Sequence, residues 1–291
     1  MDLFQQLNDT LGNHQILTGE AVSNRFSHVW EAERPLKAKA VLLPKNTEEV
    51  SHILRICHEH GQPIIIHGGL TNLVGATVAQ EDQMVISLEK MNGILEVDTQ
   101  SRTITLQAGV VLEHIQKEAQ AHDLLFPLNF GAKGSAQIGG IISTNAGGLR
   151  VLRYGMTRDL VLGLQAVMAD GTIIDSPNKM IKDNTGYDLK QLFIGSEGTL
   201  GVVTQAVLRL YEAPKSRCGA LVALNTYQNV VEFLKYIDQG LAGLLSAFEL
   251  MWNITYRAQT ADIKAPIDYQ YPYYVLLESL GSEQQDDQER L

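Results

Sequence analysis

Cysteine is almost missing: Cys57 and Cys218 are the two thiols in 291 residues. Two thiols build neither a disulfide framework nor a four-ligand zinc site, and a reducing compartment is expected. Basic charge is in deficit, with 23 Lys and Arg against 33 Asp and Glu and a formal net charge of −10. That balance argues against a general phosphate-backbone binder, so no nucleic-acid partner is expected. No run of about 18 apolar residues occurs, and no transmembrane segment is expected. The opening MDLFQQLNDTLGNHQ carries acids and amides, where a signal peptide would have a basic start and an apolar stretch. Internal repeats and low-complexity stretches are also lacking. What is present is apolar side chain: 45% hydrophobic against 19% charged excludes a disordered chain and implies a large core, in one domain or two.

Residues 1–35 form a mixed N-terminal segment. Ala38 to Leu43 is a short apolar run ended by Pro44, and Asn46 with Glu49 resembles a helix-starting capping box. Val50, Ile53, Leu54 and Cys57 follow at helical spacing up to Gly61. Ile64–Ile66 reads as a buried strand, and strands are expected at 84–88, 94–98 and 103–109, the last two joined by Thr99–Arg102. Val111, Ile115 and Ala119 predict a helix over 110–122. Residues 161–175 predict a hairpin turning at Asp170-Gly171, and a strand runs to about Leu210. Pro214 marks a domain boundary. Beyond it come strands at 220–225, 246–251 and 273–279 and an amphipathic helix through Val230–Ile237, then GSEQQDDQERL, eleven residues with no core-forming pattern. About 77 residues after Pro214 are thin for an independent core, and the expectation is a chain that stops part-way through its second domain.

Three glycine-rich stretches stand beside strands: 67–76, 131–155 with seven glycines, and Gly195, Gly198 and Gly201. Glycine costs backbone entropy and is useful where a ligand approaches the main chain. One such stretch is as well explained by a tight turn; three together favour a ligand cradle. GAKGSAQIGG offers backbone N–H groups, Lys133 and the hydroxyls of Ser135, Ser143 and Thr144, and opens a helix at 138–143, a seat for phosphate oxygens. Neither a Walker loop nor a Gly-x-Gly-x-x-Gly fingerprint occurs. An ATP- or GTP-hydrolysing domain would rest on GAKGS alone.

Other candidates are weaker. His114, Glu118 and His122 could face a metal, but a solvated helix face explains them better, and no metal is expected. His58 and His60 point to different sides of their helix. His67 has a loop-packing reading ahead of a catalytic one. Glu249 is as well explained by structure as by a pocket; for Tyr269, Tyr271, Tyr273 and Tyr274 packing with a wet hydroxyl is the favoured reading; Lys133 could neutralise a phosphate, with a surface position nearly as good an explanation.

Five collinear runs carry a family likeness: VLLPKNTEEVSHIL at 41–54, HGGLTNLVGA at 67–76, GSAQIGGIISTNAGGLRVLRYG at 134–155, VLGLQAVMADGTII at 161–174 and NTGYDLKQLFIGSEGTLGVVTQAVL at 184–208. With them the chain resembles, over roughly 36–282, the PCMH-type FAD-binding flavoproteins of the vanillyl-alcohol-oxidase-like superfamily. Within these it is most similar to the D-2-hydroxyacid dehydrogenase branch, which includes D-lactate dehydrogenase, glycolate oxidase flavin subunits and D-2-hydroxyglutarate dehydrogenase. The resemblance implies an α+β fold: an FAD-binding domain of two α+β subdomains over 36–214, then the beginning of an α/β cap (substrate) domain over 215–291.

The resemblance also assigns residues. His67, Gly68, Gly69, Leu70, Thr71, Asn72 and Gly75 would form the pyrophosphate loop. Gly134, Ser135, Ile138, Gly139, Gly140, Ser143, Thr144, Asn145, Ala146 and Gly147 would line the pyrophosphate and isoalloxazine side. Glu197, Gly198, Gly201 and Val202 would meet the adenosine or ribityl part. Relatives that hold FAD covalently in this loop have a histidine where this chain has Leu70, which implies a non-covalent FAD. Metal ligands and the base of such relatives fall in later segments, so no catalytic residue is assigned.

The activity implied is oxidation of a D-2-hydroxy acid to the 2-oxo acid, with a quinone, cytochrome or electron-transfer flavoprotein as electron acceptor. A homodimer is compatible with this. The implied location is the cytoplasm or the periphery of an inner membrane. The alternative is a non-catalytic flavin-binding fragment or subunit that needs a further region or partner.

Overall fold

The computed structural model describes residues 2–291, which divide into two compact units. The first holds residues up to Phe126 together with Gly131–Ala146 and Met156–Tyr211; the second holds Pro127–Phe130, Gly147–Gly155 and Glu212–Leu291.

In the first unit α1 (Leu3–Leu11) buries Leu3, Leu7 and Leu11, spaced at one helical face. The first sheet has the order β1 (Ile16–Leu17), β2 (Ala40–Leu42), β4 (Met84–Ser87), β3 (Ile64–His67), with β2 and β3 both parallel to β4. Parallel neighbours need a crossover, supplied between β2 and β3 by α2 (Thr47–Glu59). The Asn46 side chain caps α2 by accepting from Glu49 N at 2.8 Å, as the spacing predicts. The Glu49 carboxylate accepts from Lys45 N, one residue earlier than a capping box requires.

The second sheet is antiparallel, in the order β5 (Ile94–Asp98), β6 (Thr103–Gln107), β9 (Val202–Arg209), β7 (Val161–Val167), β8 (Ile173–Ser176). Asp98 accepts from Gln100 N and Ser101 N and so shapes the β5–β6 turn. Gly171, at φ +86°, makes the β7–β8 turn. Thr47 Oγ1 donates to Gln165 Oε1 at 2.6 Å, and α2 is thereby tied to the second sheet. Two further helices, α3 (Leu112–Ala121) and α4 (Ile138–Ser143), bury Leu112, Ile115, Ala119, Ile138, Ile141 and Ile142.

The second unit is a three-stranded antiparallel sheet, β10 (Ser216–Leu224), β12 (Tyr273–Gly281) and β11 (Leu245–Trp252), with β12 central. Val230, Ile237 and Leu241 of α5 (Tyr227–Leu241) pack on Val275 and Leu277. α6 (Asn253–Gln259) adds Tyr256, stacked on Tyr274 at 3.8 Å between ring centroids, which is the packing role the tyrosine cluster suggests. The last eleven residues depart from expectation. They include α7 (Gln284–Arg290), whose Asp287 is buried and accepts from Ser216 Oγ and Glu283 N. A polar sequence docks here through one satisfied carboxylate, which apolar patterning does not register. The mixed α+β architecture is the one expected.

Candidate functional site

The glycine stretches of the first unit converge. β3 ends at His67, and the chain turns at once through Gly68 and Gly69. A Cβ on Gly69 would stand 2.1 Å from the Ser135 carbonyl oxygen and 2.9 Å from Gln137 N. Only glycine permits that approach, so the first loop is laid main chain to main chain on the second. Gly68 faces Gln137 and Gly140 at ordinary contact distance, and a side chain at Gly140 would meet nothing within 4 Å. The third cluster closes the arrangement: Gly195 N donates to Ile142 O at 3.1 Å, Glu197 N donates to Ser143 O at 2.8 Å, and Gly198 lies against Ile66.

Side chains in these loops mostly hold the loops themselves. The buried His67 ring sits 2.8 Å through Nε2 from the Thr77 carbonyl, and burial pushes its pKa down to about 4. It is neutral at pH 7 and donates that bond. Asn72 accepts from Val74 N and Gly75 N and donates to Thr77 Oγ1, an Asx turn that shapes 72–77. Ser143 and Thr144, read from sequence as donors to a ligand, donate to the carbonyls of Gly139 and Gly140 at 2.8 and 2.9 Å. Their α-helical setting puts those carbonyls within reach. The exposed Ser135 and the half-buried Thr71 keep hydroxyls at the loop surface.

Ile138, Gly139, Gly201 and Val202 are buried. A Cβ on Gly139 would meet Ala108 at 2.8 Å, and one on Gly201 would meet Val167 O at 2.7 Å, so both glycines serve close packing. Gly75 and Gly134 stand free of close neighbours, and Gly147 belongs to the second unit. Three non-glycine residues of the loops adopt left-handed backbone: Leu70 at φ +59°, Asn145 at +47° and Glu197 at +54°. For leucine that conformation carries strain.

Two residues escape a reading by motif. Gln137 Oε1 is buried without a hydrogen-bond partner and is the atom a Cβ on Gly68 would face at 3.7 Å. Leaving such an acceptor unmatched costs about 1–3 kcal/mol. Arg158 donates through its backbone N to Asn145 Oδ1 and through its guanidinium to Gln191 and Ile194. No spacing rule points to either; each gains its place from chain segments brought together by the fold. Lys133 lies in the turn Gly131–Gly134, Glu249 is exposed on β11, and His122 is spent on the Glu118 carbonyl at 2.9 Å. No cluster of three or more metal-ligating side chains occurs among the described residues.

Residues 38–176 match the family model described as an FAD binding domain. The mitochondrial D-2-hydroxyglutarate dehydrogenase of Danio rerio is 43% identical over 253 residues, 86% of this chain and 47% of that protein. The D-2-hydroxyglutarate–pyruvate transhydrogenase of Saccharomyces cerevisiae is 37% identical over 286 residues, 97% of this chain and 58% of its own length. A Schizosaccharomyces pombe protein named for mitochondrial D-lactate dehydrogenase activity is 40% identical over 276 residues, 94% of this chain and 52% of its own. The chain thus spans about half the length of the curated relatives it matches. Among solved structures, an alkyldihydroxyacetonephosphate synthase superposes with TM-score 0.81 at 19% identity, covering 97% of this chain and 57% of that one. p-Cresol methylhydroxylase superposes with TM-score 0.72 at 17% identity, covering 98% and 61%. These two likenesses establish the fold.

FAD is the cofactor of the matched domain, and the glycine loops that meet main chain to main chain lie on the fold these solved structures share. Residues 38–176 are an FAD binding domain, and along most of its length the chain is similar to D-lactate and D-2-hydroxyglutarate dehydrogenases. The site fits such a group: open space beside Gly140, free backbone at Gly68, and an unmatched amide oxygen at Gln137 are what a polar, close-lying cofactor requires.

Proposed function

We propose that this chain is the FAD-holding part of an enzyme that oxidises a D-2-hydroxy acid of the D-2-hydroxyglutarate or D-lactate class to its 2-oxo acid. The observation that carries the reading is the approach of Gly69 to Ser135–Gln137, which only a bare backbone allows, in a chain 37–43% identical to dehydrogenases of those substrates. When bound, FAD supplies a hydride acceptor for the substrate's α carbon–hydrogen bond. The chain's contribution is to hold the diphosphate on the main chain at 68–72 and 134–140 and to fix the loop geometry through Asn72, Asn145 and Glu197. No base for the hydroxyl proton is assigned to these residues.

The flavin is held without a covalent bond at Leu70, whose hydrocarbon side chain offers no nucleophile. Electrons pass on to a quinone, a cytochrome or an electron-transfer flavoprotein. The setting is cytoplasmic, with a peripheral seat at an inner membrane if a quinone is used. No helix of the described residues is long and apolar enough to cross a membrane.

The test is a visible spectrum of the purified chain loaded with FAD, before and after acid precipitation, followed by anaerobic D-2-hydroxyglutarate or D-lactate. Release of the flavin into the supernatant is expected; bleaching by one acid places the catalytic groups within these residues. Flavin that is bound and released yet not bleached assigns the chain a holding role without turnover. No flavin bound at all overturns the proposal.

A further inference from the structure

Arg158 belongs to none of the glycine loops, yet it touches two of them. It lies in the short helix Thr157–Leu160 of the first unit. Its backbone N donates to Asn145 Oδ1 at 3.0 Å, its Nη1 donates to Gln191 Oε1 at 2.9 Å, and its Nη2 donates to the Ile194 carbonyl at 3.0 Å. Asn145 ends the second loop in left-handed backbone, and Ile194 precedes Gly195, which turns at φ +84° into the third. A Cβ on Gly195 would lie 3.4 Å from Asn145 Cβ and 3.6 Å from Arg158 Nη2, so the two loops and the guanidinium share one corner.

The charge there is unusual. Arg158 is partly buried, both side-chain acceptors are neutral, and no carboxylate among the described residues pairs with it. A guanidinium removed in part from water and left without a counter-charge is a cost unless a ligand supplies the negative charge. Its planar fork spans two acceptors at once, which a lysine ammonium does less well.

We propose that Arg158 is the positioning residue of the flavin site: it locks the second loop against the third and keeps an unmatched positive charge for the anionic cofactor. The inference rests on the reading of the glycine loops as the FAD site. It assigns to the loops a geometry set from behind, by a residue outside them.

The experiment is FAD titration of the full chain by flavin fluorescence, with the visible spectrum of the bound flavin and the far-ultraviolet circular dichroism recorded for each variant. Arg158→Met is expected to weaken FAD binding by about tenfold or more and to shift the flavin's long-wavelength band, at unchanged circular dichroism. Arg158→Lys keeps the charge without the fork and is expected to fall between the wild type and Arg158→Met. Gln191→Leu removes one arm of the fork and is expected to weaken FAD by roughly threefold. Wild-type affinity and spectrum in Arg158→Met overturn the proposal. Wild-type behaviour in Arg158→Lys alone reduces the residue to a point charge and overturns the positioning role. If Arg158→Met does not fold, unchanged affinity in Gln191→Leu overturns it. A wild-type chain that binds no FAD fails the parent reading instead, and this inference falls with it.

Discussion

Gly69 approaches Ser135 so closely that a methyl group on its Cα would stand 2.1 Å from the serine carbonyl oxygen. Main chain meets main chain there, and nothing flexible can give way. Gly69→Ala is therefore expected to separate the loops, costing about 2–4 kcal/mol of stability and abolishing FAD binding. Urea unfolding with parallel flavin titration checks both.

Gly140 is the contrasting case, since it sits in α4 with nothing within 4 Å of an added Cβ. Gly140→Ala is expected to stabilise the flavin-free chain by about 0.5–1 kcal/mol through helix propensity. The new methyl occupies the open side of the cradle, so FAD affinity falls at the same time. A variant with higher stability and unchanged affinity would move the flavin away from Gly140.

The unmatched amide at Gln137 predicts a trade between stability and binding. Gln137→Leu removes a buried acceptor without a partner and is expected to raise the stability of the flavin-free chain by about 1 kcal/mol. The added stability conferred by saturating FAD is expected to shrink. Thermal melts with and without FAD measure the two effects separately.

His67 sets an acid limit on stability. Its folded pKa is about 4 against an ordinary 6.5, because burial opposes the charged ring. Between those values the unfolded chain binds the extra proton, so stability falls as pH drops from about 6.5 towards 4, by a total on the order of 3 kcal/mol. Above pH 6.5 the group contributes no slope. Denaturant unfolding at pH 7, 6 and 5 is expected to show that loss, and His67→Gln, which keeps a donor for Thr77, is expected to flatten it.

In the second unit, Glu278 accepts both arms of Arg150, at 2.8 and 3.1 Å, together with Ser246 Oγ and Arg217. The two side chains of the main pair are 10% and 13% exposed. Removing one partner leaves a charge in poor solvent, so Glu278→Leu is expected to cost about 3 kcal/mol. Removing both, in Glu278→Leu with Arg150→Met, is expected to cost less than the sum of the single changes. A double-mutant cycle on the unfolding transition of this unit decides it.

Much of this was legible in the residue order because local rules act on neighbours. Asn46 and Glu49 mark the start of α2, the apolar spacing of 50–57 marks its buried face, Asp170-Gly171 marks a turn, and 138–143 is the helix observed. The glycine loops announced themselves by composition, since no other residue allows the approach of Gly69. The same rules missed α7, where a buried Asp287 and its partner Ser216, 71 positions away, stand in for an apolar face. Nor did they show that the hydroxyls of Ser143 and Thr144 donate to the carbonyls four residues back, a partner set by helical geometry rather than by residue type.

By itself, then, the sequence determined most of the elements and the three stretches of bare backbone, which follow from periodicity, caps and composition, while the α+β class was implied by the resemblance of five collinear runs to a known family. Only the tertiary structure decided that these stretches meet, that Arg158 braces two of them, and that Gln137 keeps an acceptor unmatched. The physical reason is range: propensity and pattern act over a few residues, whereas the site is made of contacts between positions 66 and 198 that exist only after the chain has packed.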